Sequence, residues 1–217
     1  MKRTRRTQQI ALAGALALGA VTLGTAVGAG PDTDHASPKT TAQVGAEAPD
    51  FTLTDTTGAP HTLSDTLTDH EFVVLEWFNP DCPFVKGHHK TGSTMRDLYA
   101  EFQDQGVAWL AINSGAPGKQ GAGLERNRRA IAEYGIRYPV LLDESGAVGH
   151  MYRAKTTPHM FIINHEGVLI YAGAIDGKRA DHPERKYVRR ALEQALAGET
   201  VTTPETRSYG CSVKYAN

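Results

Sequence analysis

Hydrophobic residues in this chain fall into short dense blocks separated by polar and glycine-rich turns, and the period of each block predicts its element. From Phe72 to Phe78 every position is apolar except Glu76, the pattern of a strand covered on both faces. Val107 to Ile112 repeats it. Ahead of them, two alternating runs at 48–55 and 61–65 flank an Asp-Thr-Thr-Gly turn, which predicts a β-hairpin. Met95, Leu98, Tyr99 and Phe102 recur at helical spacing, so a single helix is expected from Phe84 to Gln105, closed by Gly106. Residues 115–123 hold four glycines and a proline and read as a flexible loop.

The second half follows the same logic. A polar helix spans Leu124 to Tyr134 and stops at Gly135, a short strand covers Val140 to Leu142, and a short helix covers Ala147 to Tyr152. Met160 to Ile163 and Val168 to Ala172 flank Asn-His-Glu-Gly167 as an antiparallel hairpin. Asp176 to Arg179 reads as a charged loop. An amphipathic helix from Pro183 to Ala197 sets Val188, Ala191, Leu192, Ala195 and Leu196 on one face. A polar tail follows Gly198. This order of elements predicts an α/β protein, a central mixed sheet covered by helices on both sides with an N-terminal hairpin extension.

Charge and terminal composition change the setting rather than the fold. Basic residues Lys2 to Arg6 precede an uncharged, small-residue stretch from Ile10 to Ala29, so 1–30 reads as a secretory signal peptide, with an uncleaved membrane anchor as the alternative. Residues 31–43 form a disordered polar spacer, 44–198 one domain, and 199–217 a tail. The formal net charge of −1 supplies no field to attract nucleic acid or anionic lipid. Neither is expected as a partner, nor is stable membrane association once the signal is removed. Export would place the protein where disulfides form and persist.

The chain has two cysteines, Cys82 and Cys211. Cys82 follows the apolar strand through a Pro-rich turn and stands where the next helix begins, so backbone N–H groups favour its thiolate. Val85 occupies the place of the second thiol of a Cys-x-x-Cys pair, which excludes a local dithiol cycle and leaves Cys211 as the one other thiol in the chain. A bridge between them would close a loop of about 130 residues, worth ~4–5 kcal/mol in the chain-entropy model. Resolving thiol and structural staple both remain open for Cys211. Glu76, alone among apolar neighbours, is the candidate acid/base group, because burial favours the neutral carboxyl. Cys82 with His88 and His89 could suggest copper or zinc. Adjacent histidines on different helix faces make a poor ligand pair, so both read as solvated helix residues. No metal and no cofactor is expected.

Four segments together carry a family resemblance: Ala48-Pro-Asp-Phe-Thr-Leu with Leu63-Ser-Asp65; Trp77-Phe-Asn-Pro-Asp-Cys-Pro83; Thr156-Thr-Pro-His159; and Gly210-Cys-Ser-Val-Lys-Tyr215. They resemble redoxin (AhpC/TSA-type), peroxiredoxin-like domains of the thioredoxin superfamily with a single active-site cysteine. The resemblance implies a thioredoxin fold and Cys82 as nucleophile, with Glu76 assisting proton transfer. It also implies a cis Pro158 that leaves the Thr157 backbone to bind substrate, and a residue, His159, that tunes the thiolate or starts a strand. A peroxiredoxin signature would place Pro and Thr or Ser where Leu75 and Asn79 stand, so peroxide support is missing. The implied activity is thiol–disulfide exchange with protein thiols or disulfides, recharged by a thiol-reducing partner. Antioxidant peroxidase and a non-enzymatic binding module with a stapled tail are the alternatives.

Overall fold

A computed structural model describes residues 41–177 and 186–216. The expected signal peptide, most of the expected spacer, Lys178 and Arg179 of the expected charged loop, and the expected Pro183 start of the last helix lie outside the described residues.

The strands are β1 (Thr52–Asp55), β2 (Pro60–Thr62), β3 (Phe72–Trp77), β4 (Val107–Asn113), β5 (Val140–Leu142), β6 (Thr156–Thr157), β7 (Met160–Asn164), β8 (Leu169–Gly173) and β9 (Cys211–Ser212). Seven of them form one mixed sheet in the order β2-β1-β5-β4-β3-β7-β8. Strands β3, β4 and β5 run parallel at its centre, β7 and β8 continue it antiparallel, and β1 joins through an antiparallel pairing with β5. The N-terminal hairpin is thus an extension of the sheet. Strands β6 and β9 form a separate two-stranded ladder.

Side-chain alternation along β3 divides the core in two. Val73, Leu75 and Trp77 join Leu110 and Ile112 beneath α1 (Leu63–Asp69) and α5 (Ala147–Met151). Phe72, Val74 and Phe78 face the other way, with Trp109 and Ala111, towards α2 (Pro83–Lys86), α3 (Thr94–Phe102), α4 (Leu124–Tyr134) and α6 (Tyr187–Leu196). Each large side chain so buried contributes ~1.5–3 kcal/mol over its exposed state. By the same alternation Glu76 shares the α2/α3 side of the sheet. The polar residue sits inside the larger core half, fully buried.

Two expectations need correction. The helix expected from Phe84 to Gln105 is broken: α2 runs into a π-helical turn at Gly87–Thr91, and α3 starts only at Thr94. The Gly92 N–H reaches back five residues to the Gly87 carbonyl at 2.8 Å. That extra residue per turn rotates the following side chains, as π-bulges do, and carries His89 into the core. The loop at 115–123 is pinned rather than free. Asn113 Nδ2 donates to the Gly121 carbonyl at 2.8 Å, Asn127 Nδ2 donates to the same carbonyl at 3.3 Å, and Asn79 Nδ2 donates to the Gln120 carbonyl at 3.0 Å.

Candidate functional site

The site is built where the C-terminal end of β3 meets the start of α2. Cys82 is the N-cap residue, extended at φ −73° and ψ 124°, with Pro83 at the first helical position, where a missing N–H costs nothing. The turn before it is held from two sides: the Cys82 N–H donates to the Asn79 carbonyl at 3.1 Å, and Arg126 Nη2 donates to Asp81 Oδ1 at 2.9 Å.

Opposite stands the loop of β6. The Thr157–Pro158 peptide is cis, as the resemblance implied. Cys82 Sγ donates to the Thr157 carbonyl at 3.0 Å. Thr157 also pairs with Cys211 in the antiparallel ladder of β6 and β9, so the backbone register brings the second cysteine to the first. Both thiols are unbridged here, Cys82 buried and Cys211 partly exposed.

Electrostatics separate the two sulfurs. Burial pushes the Cys82 thiol up, but hydrogen bonds from the Cys211 thiol, from Thr157 and from the Val85 and Cys211 backbone outweigh it, leaving Cys82 below its ordinary value. The Thr157 carbonyl opposes this, since a thiolate cannot donate to it; the donors prevail. Cys211 moves the other way, pushed up to about 11 by burial and by the neighbouring Cys82 sulfur. The two sulfurs are thus moved in opposite directions, Cys82 being the more acidic.

Glu76, on β3 six residues before Cys82, has both oxygens engaged. His89 Nε2 lies 2.7 Å from Oε1, and Tyr138 donates its hydroxyl to Oε2 at 2.8 Å. Both Glu76 and His89 have side chains with 0% exposure. His89 is therefore a buried partner of the carboxylate, contrary to its reading as a solvated histidine; the π-turn supplies the reason. His88 differs too: it is partly buried, with Nε2 3.0 Å from the Tyr209 hydroxyl. Burial holds its pKa below the usual histidine value. Tyr209 in turn donates to Asp176, which gives that loop residue a definite contact. His159 packs its ring 4.4 Å from Phe161, and burial lowers its pKa to about 4, so it is neutral at physiological pH.

Asn79 occupies the place of a peroxiredoxin hydroxyl. Its amide is committed to the Gln120 carbonyl, and its Oδ1 accepts the Asp81 N–H at 2.8 Å. Sequence reasoning missed the roles of His88, His89, Tyr138, Asn79 and Tyr209. Spacing alone could not reveal the π-turn, though Tyr209 two residues before Cys211 marks a tail with an anchor. No group of three or more metal-ligating side chains exists among the described residues.

A mixed sheet with a cysteine at a helix start, facing a cis-proline loop, defines a thioredoxin-fold redoxin. The AhpC/TSA family profile matches residues 44–172, and the chain belongs to that family. Among curated relatives, the thiol-disulfide oxidoreductase ResA of Geobacillus thermodenitrificans is 32% identical over 130 residues, covering 59% of this chain and 68% of that protein. ResA of Bacillus subtilis is 31% identical over 126 residues, covering 58% and 64%. Two solved structures align over most of the chain. A hypothetical protein of Sinorhizobium meliloti is 29% identical with a TM-score of 0.71, covering 81% of this chain and 96% of that one. An uncharacterised conserved protein of Geobacillus kaustophilus is 28% identical with a TM-score of 0.72, covering 80% and 93%. The ResA relatives place the chain among thioredoxin-like proteins of thiol–disulfide oxidoreductase type.

Proposed function

We propose that the protein is an exported thiol–disulfide oxidoreductase in which Cys82 is the nucleophile and Cys211 the resolving thiol. The observation that carries this reading is the juxtaposition of the two sulfurs across the Thr157–Cys211 register, with their acidities moved in opposite directions. The Cys82 thiolate attacks one sulfur of a partner disulfide, and the partner's other sulfur leaves as thiolate. Cys211 then gives up its proton and attacks the Cys82 sulfur of the mixed disulfide, expelling the partner's remaining thiolate. The partner gains two electrons and the protein ends with a Cys82–Cys211 disulfide, which an external dithiol must reduce.

Exchange rate depends on the thiolate fraction of the attacker and on the acidity of the leaving thiol, and the depressed Cys82 value favours the first step. Thr157 and Pro158 form the edge on which a partner's extended segment pairs, and Glu76 is the buried acid/base group assisting proton transfer, its oxygens held by His89 and Tyr138. Export rests on the basic and then uncharged N-terminal pattern. Among the described residues no helix is long and apolar enough to cross a membrane.

Two alternatives are weaker. Peroxide reduction lacks its hydroxyl support, since Asn79 is committed to the 115–123 loop. An inert staple does not account for a Cys82 thiol held below its ordinary value. Trapping decides among them: Cys211→Ser should accumulate a mixed disulfide on Cys82 with a model disulfide peptide, whereas wild type should turn it over. Failure of both to exchange, with rapid Cys82-dependent consumption of hydrogen peroxide instead, would overturn the assignment.

A further inference from the structure

Cys82 has no exposed surface, and the strand lying over it belongs to the chain's own tail. In β9 Cys211 pairs with Thr157 and Ser212 with Thr156, so the tail takes up the backbone edge beside the cis-proline. A partner segment pairing there would need the same hydrogen bonds. We propose that the segment from Tyr209 to Tyr215 is a displaceable strap occupying the partner's berth, and that Cys82 meets a protein disulfide only when this strap lifts. The proposal takes its partner from the oxidoreductase reading above, but the occlusion itself does not depend on it.

The contacts show how the strap is held. Upstream of Cys211, Tyr209 meets the His88 imidazole at 3.0 Å, donates to Asp176, and sets its ring 5.8 Å from that of Phe84. Downstream, Tyr215 stacks on His150 at 4.1 Å and donates its hydroxyl to the Ala154 carbonyl at 2.9 Å. Between them the ladder is only two residue pairs long, with two further backbone bonds, the Val213 N–H to the Lys155 carbonyl at 3.2 Å and the Ala116 N–H to the Lys214 carbonyl at 2.8 Å. Tyr209, Cys211 and Val213 pack against the core, but no residue from 202 to 216 is fully buried, so release exposes only partly covered side chains. Segments of this kind open at a small fraction of the global unfolding free energy.

Gly210 is the fulcrum. Its φ of +138° suits glycine, and a Cβ there would lie 2.0 Å from the Thr157 carbonyl oxygen, inside any tolerated contact. Even alanine at this position must push the strap off the edge. Tyr209, by contrast, is a latch whose hydroxyl can be removed without steric change.

The test uses the reduced full-length protein. Iodoacetamide alkylation of Cys82 and Cys211 is followed separately by peptide mass mapping, and each rate is divided by that sulfur's thiolate fraction from absorbance at 240 nm. Tyr209→Phe removes the latch hydrogen bonds and Gly210→Ala levers the strand. Tyr99→Phe, which loses a hydroxyl contact to the Arg137 carbonyl remote in sequence from the tail, is the control. The normalised Cys82 rate should rise about tenfold in each strap variant, equal to ~1.4 kcal/mol of opening, while Tyr99→Phe stays at the wild-type rate. Circular dichroism and thermal midpoints confirm that each variant is folded; were Gly210→Ala to unfold, Tyr209→Phe would still decide. Unchanged Cys82 rates in a folded strap variant, or wild-type Cys82 reacting as fast as an exposed thiol, would overturn the proposal. Loss of all disulfide exchange with the alkylation pattern intact would sink the oxidoreductase reading and leave the strap standing.

Discussion

Replacing His89 with leucine puts the buried Glu76 pair under direct strain. The two side chains meet at 2.7 Å with no exposure of either, while His89 Nδ1 has no hydrogen-bond partner of its own. Leucine comes close to imidazole in volume, so the ring contacts with Phe78 and Tyr134 lose shape more than space. What remains is a buried carboxyl group with Tyr138 as its one surviving partner. Leaving a buried polar group without its partner costs ~1–3 kcal/mol. Adding Glu76→Met removes the orphaned acceptor, and replacing both partners by apolar groups of similar size is nearly neutral apart from the Tyr138 hydroxyl. The double variant should therefore be more stable than His89→Leu alone.

Urea unfolding, followed by the fluorescence of Trp77 and Trp109, measures all three stabilities by linear extrapolation. A deficit below ~0.5 kcal/mol for His89→Leu, or a double variant no more stable than His89→Leu alone, would refute a mutually dependent buried pair.

Other expectations are as direct. Cys82 should ionise below the 9.0 of an ordinary thiol, so its thiolate absorbance at 240 nm appears at lower pH than that of Cys211, which titrates near 11. The stability that reduced protein draws from Cys82 ionisation is present above the ordinary thiol value and lost as pH falls through the depressed one; Cys211→Ala should move Cys82 upward by removing a donor. Gly121→Ala, at φ +76° with a Cβ 2.0 Å from Asn79 Oδ1, should release the 115–123 loop and expose it to limited proteolysis. An unchanged digestion pattern would show that Asn79 does not hold it. Leu192→Ala, fully buried on α6, should cost ~2–5 kcal/mol in urea unfolding, and a cost under ~1 would show that α6 packs only loosely.

Much of the architecture was readable because hydrophobic period maps directly onto a layered sheet. Strands β3 and β4 were apparent from continuous apolar runs, α4 from its Gly135 stop, and the cis-proline loop from the Thr156-Thr-Pro-His159 resemblance. What escaped was geometry that has no period. The π-helical turn at Gly87–Thr91, closed by the Gly92 N–H on the Gly87 carbonyl, sets His89 in the core rather than on the surface. The 115–123 loop looked free because its glycines were visible and the three asparagine side chains that hold it come from other elements.

The relation between the cysteines turned on the same kind of non-local fact. Composition showed two thiols, and Val85 excluded a local pair, but nothing in the order of residues says that a tail more than a hundred positions away will add a strand beside Pro158. The ladder of β6 and β9 supplies that link, and it couples two properties that would otherwise be independent. The Cys211 thiol that lowers the pKa of Cys82 is carried by the strand that hides it. Lifting the strap to admit a partner therefore also withdraws a donor from the thiolate, so access and activation oppose each other. A partner segment that pairs with Thr157 would bring backbone N–H groups to the same place, restoring part of the lost stabilisation as it binds. Full thiolate character and exposure would then coincide only in the complex, which restrains Cys82 from reacting with whatever small oxidant happens to pass.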